Sequence, residues 1–64
     1  GNAYVSLLPI IDTGAIVTLK GFEYGLDRAR INFSSTLGVS NRIIGGQGHI
    51  LIHKGKCLVI VSKD

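Results

Sequence analysis

The sequence predicts an all-β domain, a small, strongly bent five-stranded antiparallel barrel, and three observations predict it. Nine glycines stand as punctuation between short apolar runs, the spacing of turns between strands. Apolar and polar residues alternate through Ala29-Arg30-Ile31-Asn32-Phe33, as in a strand with one covered face. The 64 residues make one domain, 1–64, and closing so small a sheet removes its exposed edges.

Residues 1–13 leave two readings open. Tyr4, Val5, Leu7, Leu8, Ile10 and Ile11 have the density of a short N-terminal helix, but Pro9 in mid-run is costly to a helix interior. An extended segment, or a single turn beginning near Pro9, is the alternative. The first clear strand is Ala15 to Lys20, entered through Thr13-Gly14 and left at Gly21. A longer strand runs from Phe22 to Phe33, with Ala29, Ile31 and Phe33 inward, and Gly25 marks a bend or bulge in it. Ser34-Ser35-Thr36 is a polar break, and Leu37 to Ile44 forms the third strand, with Leu37, Val39 and Ile43 inward. After the loop Gly45-Gly46-Gln47-Gly48, strands His49–His53 and Lys56–Ser62 close the count as a hairpin about Lys54-Gly55.

That hairpin is apolar on both faces. Cys57, Val59 and Val61 point one way, Leu58 and Ile60 the other, and so short a chain has one interior to offer them. Small domains compensate with disulfides, metals or oligomerisation. The single Cys57 excludes an internal disulfide, and two histidines with one cysteine make no zinc spacing. The expectation is therefore a homo-oligomer without metal or cofactor. No apolar run has the length of a membrane span, so the expected location is cytoplasmic, away from membranes. From Arg28 to Lys63 there are six basic residues and no acid, with net charge +3 overall, a balance that suits a polyanion.

The segments resemble the Sm-like family of ring-forming RNA-binding proteins. Ile52-His53-Lys54-Gly55-Lys56-Cys57-Leu58-Val59-Ile60 looks like its second motif, with Lys54 in the arginine position. Phe33-Ser34-Ser35-Thr36-Leu37-Gly38-Val39 sits where the first motif belongs, and Val17-Thr18-Leu19-Lys20-Gly21 resembles the first strand and turn. The motif's aspartate is Ser34 here and its asparagine is Gly38. The resemblance implies a non-enzymatic homo-oligomeric ring that binds single-stranded RNA as a ribonucleoprotein. Ser34, Ser35, Thr36, Gly38, His53, Lys54 and Gly55 would line a basic pore rim, with Lys54 facing phosphates. The alternative is an oligomeric protein-interaction module in which RNA plays no part.

A third reading rests on Asp12-Thr13-Gly14 after an apolar run, which resembles the active-site loop of retroviral-type aspartic proteases. Two such aspartates share a proton across a dimer. A strand-entry turn using Asp and Gly accounts for the same residues. His49 and His53 lie four residues apart along one strand, about 13 Å by strand rise, too far for one metal. Cys57 within an apolar strand reads as a small buried hydrophobe.

Overall fold

The computed structural model describes residues 3–32, 34 and 40–63. Six strands follow in order: β1 Ala3–Pro9, β2 Ala15–Lys20, β3 Leu26–Ile31, β4 Asn41–Arg42, β5 His49–Lys54 and β6 Cys57–Lys63. They form two antiparallel three-stranded sheets, β4-β1-β6 and β3-β2-β5. The central strands, β1 and β2, supply most of the core. Val5 and Leu7 pack with Ala15, Val17, Leu19, Phe22 and Ile31, the alternate positions that a pleated strand turns to one face.

The all-β class is shown, and no helix is present among the described residues. The closed five-stranded barrel is corrected to two open sheets. Residues 3–9 resolve the N-terminal ambiguity in favour of a strand, with Val5, Leu7 and Pro9 buried. Pro9 is its last residue, opposite Cys57, where a missing N–H disrupts the ladder least.

The terminal hairpin is also corrected. β5 pairs with β2, from Ile16↔Lys54 to Lys20↔His49, while β6 pairs with β1, from Ala3↔Lys63 to Pro9↔Cys57. Lys54-Gly55-Lys56 therefore carries the chain from one sheet to the other. Gly55 has φ +86°, and a Cβ there would stand 2.3 Å from the Gly14 carbonyl oxygen. That close approach over the start of β2 requires glycine.

Two strand boundaries move for local reasons. The expected Phe22–Phe33 strand begins at Leu26, because Phe22 turns away to form an isolated bridge with Ile43. The expected Leu37–Ile44 strand is reduced to Asn41–Arg42, and Ser40, at φ +52°, cannot continue an extended chain. Phe33, Leu37 and Val39 lie outside the described residues. The surplus of apolar surface on the last strand is plain: Leu58, Val59, Ile60 and Val61 are all exposed.

Candidate functional site

The segment between β2 and β3 builds a ridge on which one aromatic ring stands clear of the protein. Gly21 turns the chain at φ +81°, and buried Phe22 plugs the core. Residues 22–24 then run beside 41–43. Glu23 N–H donates to Arg42 O at 2.7 Å, and Ile44 N–H to Gly21 O at 2.9 Å. Asn41, only 2% exposed, completes this pairing with its side chain. Its Oδ1 accepts Tyr24 N–H at 3.0 Å, and its Nδ2 donates to Tyr24 O at 2.7 Å. A carboxamide offers the donor and acceptor of a peptide group, so it satisfies both backbone groups of Tyr24 as a neighbouring strand would.

The backbone of Tyr24 is thus clamped while its side chain is 65% exposed. Glu23 precedes it in the chain, its Oε2 accepting from Arg42 Nη2 at 3.3 Å. The pair is solvated and worth at most about 1 kcal/mol, so the carboxylate keeps capacity for another cation. Arg42 Nε is buried and has no partner among the described residues. Ser40, in left-handed backbone, donates its N–H to Ser6 Oγ at 2.8 Å and anchors the return from the loop before β4. An exposed aromatic face on a clamped backbone suits a flat, positively charged ring.

A second feature lies on β2. Thr18 faces away from the core yet is 6% exposed. Register irregularities flank it on both neighbours, against β3 between Val17 and Leu19 and against β5 between Ile16 and Val17. Thr18 Oγ1 accepts Arg28 N–H at 3.0 Å and lies 2.7 Å from His53 Nε2. Arg28 holds φ +50° there, a conformation that costs a non-glycine residue about 1–2 kcal/mol. Next to it opens a cleft of about 420 Å³ lined by Thr18, Leu19, Lys20, Gly25, Leu26 and Asp27.

The residues expected at an RNA-binding rim divide. Ser35, Thr36 and Gly38 lie outside the described residues. Ser34 is exposed and bonded to its neighbour, its N–H and hydroxyl both donating to Asn32 Oδ1. His53 and Lys54 end β5, and Gly55 follows. Asn32 and Gly55 both approach Gly14, at the start of β2. Asp12 occupies a tight turn closed by Gly14 N–H donating to Ile11 O at 2.9 Å, which is the strand-entry role. Burial pushes the Cys57 thiol up from its ordinary value, so it stays protonated and weakly nucleophilic at neutral pH. No group of three metal-ligating side chains occurs among the described residues, and no helix among them is long and apolar enough to cross a membrane.

Residues 1–57 match the family model of the thiamin pyrophosphokinase vitamin B1 binding domain. The chain belongs to that family. It is 36% identical over 61 residues to a thiamine pyrophosphokinase of Bacillus subtilis (strain 168), a match covering 95% of this chain and 28% of that relative. The chain thus spans a little over a quarter of the length of the curated relative. No solved structure matches it.

The Sm-like resemblance is overturned by this membership. With it go the RNA-binding ring, its ribonucleoprotein role, the RNA partner and the interaction-module and protease alternatives. The physical reason is visible in the fold. The described residues form six strands in two three-stranded sheets, not one strongly bent five-stranded sheet. Local residue order imitated the motif; strand pairing did not follow it. Tyr24, Glu23 and Asn41 were the residues that sequence reasoning passed over. Their signal is an aromatic bracketed by Gly21 and Gly25, together with an asparagine, a residue suited to replacing a missing backbone partner.

Proposed function

We propose that this chain binds vitamin B1, and that the Tyr24 ridge is where it does so. The observation that carries the reading is the clamp of Asn41 on both backbone groups of Tyr24, which fixes the backbone from which an exposed aromatic side chain projects. Family membership names the ligand class. Thiamin joins a permanently charged thiazolium to a flat aminopyrimidine. An aromatic face attracts such a cation by about 0.5–2 kcal/mol, and the carboxylate of the preceding residue, Glu23, adds Coulomb attraction. The role assigned to these residues is to hold the vitamin. Pyrophosphoryl transfer requires a second substrate, and we assign that chemistry to parts of a thiamin pyrophosphokinase outside this chain.

Isothermal titration of the chain with thiamin tests the reading. Binding is expected, with Tyr24→Ala weakening it about tenfold and Glu23→Gln less, the order that cation–π and solvated charge terms give. A folded chain that takes up no thiamin at millimolar concentration overturns the reading. So does a Tyr24→Ala variant with unchanged affinity.

A further inference from the structure

We propose that the outer face of the β3-β2-β5 sheet, at the end where β5 terminates, is a binding site for a phosphate chain, with Arg30, His53 and Lys54 as its ligands. The placement follows from register. Ile16 pairs with Arg30 on one side and with Lys54 on the other, and directly paired residues project from the same face. Ala15 and Val17 face the core, so Ile16 and its two basic partners face outward. Two strand spacings separate the α-carbons of Arg30 and Lys54 by about 10 Å. Long side chains converging from that distance close on a diphosphate more readily than on a single phosphate.

Two of the three groups are held in advance. Arg30 Nη1 donates to Thr13 O at 2.8 Å, which fixes the guanidinium and leaves the remaining N–H donors of its fork free. His53 Nε2 is held by the Thr18 hydroxyl at 2.7 Å, which aims the imidazole from the β5 irregularity onto the outer face. With Nε2 engaged by Thr18, Nδ1 is the ring nitrogen left for a ligand, and it donates to a phosphate oxygen in the tautomer or charged form that carries Nδ1–H. Lys54 supplies a mobile point charge. Farther along the same face Lys20 pairs with His49, extending the positive row for a longer chain. Asp27 lines the cleft beside Thr18, and Asp12 lies in the turn that leads into β2. The site uses none of the residues of the Tyr24 ridge.

The test is calorimetric titration of the whole chain with inorganic pyrophosphate, orthophosphate, ATP and the pyrophosphorylated vitamin, thiamin being titrated in parallel. Pyrophosphate is expected to bind more tightly than orthophosphate and to weaken as salt rises. Lys54→Ala should weaken it about tenfold, the loss of one charge-assisted contact, and Lys54→Arg should restore it. Lys63→Ala, which removes the same charge from β6, should leave it unchanged. Equal affinity for ATP and pyrophosphate assigns recognition to the phosphates alone; tighter binding of the pyrophosphorylated vitamin assigns it to that source. No pyrophosphate binding at millimolar concentration overturns the proposal, as do equal losses in Lys54→Ala and Lys63→Ala. If thiamin still binds, the vitamin reading survives that failure; if pyrophosphate alone binds, this proposal survives the failure of the vitamin reading.

Discussion

Strands β2 and β6 are built from the same kind of residue, Ala-Ile-Val-Thr-Leu-Lys in one and Cys-Leu-Val-Ile-Val-Ser-Lys in the other. Their surroundings differ completely. Val17 of β2 is fully buried, whereas Val61 of β6 is 59% exposed. β2 is the middle strand of its sheet and packs against β1 across the core, while β6 is an edge strand of the other sheet. Even the β6 residues on the core-facing side, Val59 and Val61 opposite Leu7 and Val5, remain uncovered. Apolar content therefore does not decide burial. Neighbours on both sides and a facing sheet do, and of these two strands β2 has them and β6 does not.

The comparison makes a sharp prediction with one substitution applied twice. Leu19→Ala in β2 should destabilise the domain by about 3 kcal/mol in chemical denaturation, within the range for core leucines. Leu58→Ala in β6 should cost below about 0.5 kcal/mol, as surface changes do. Equal losses would show that β6 is covered in solution. The clamp comes next in size. Asn41→Ala leaves two backbone groups of Tyr24 without their partner, and about 2 kcal/mol should be lost, with weaker thiamin binding because the backbone that carries the ring is no longer held. If denaturation midpoint and affinity are both unchanged, the clamp has no role. A further effect has the opposite sign. Arg28→Gly relieves a left-handed backbone position and should stabilise by about 0.5–1 kcal/mol, net of the added chain entropy. A loss of stability there would show that the Arg28 side chain contributes more than its backbone costs.

Parts of both regions were legible from residue order. β2 runs from Ala15 to Lys20, where its glycine-bounded apolar run places it. Ile31 is buried while Arg30 is exposed, as their alternation demands. The double-sided apolar character of the last strand was equally readable, and its bare side chains show it. The ridge was not readable in the same way, since Tyr24 and Asn41 are 17 positions apart and nothing local ties them. The Lys54-Gly55 turn misled for a related reason. Two apolar runs around a glycine pattern look like a hairpin at short range, yet each run found its partner elsewhere.

Sequence by itself determined which residues could be strands and which side of each was apolar, because φ/ψ preference and side-chain alternation act over a few neighbouring residues. Tertiary structure decided which strands met, which ring was left exposed and which cations share a row. Those outcomes depend on contacts between distant parts of the chain, where closing one pairing excludes another. Residue pattern alone does not rank such alternatives.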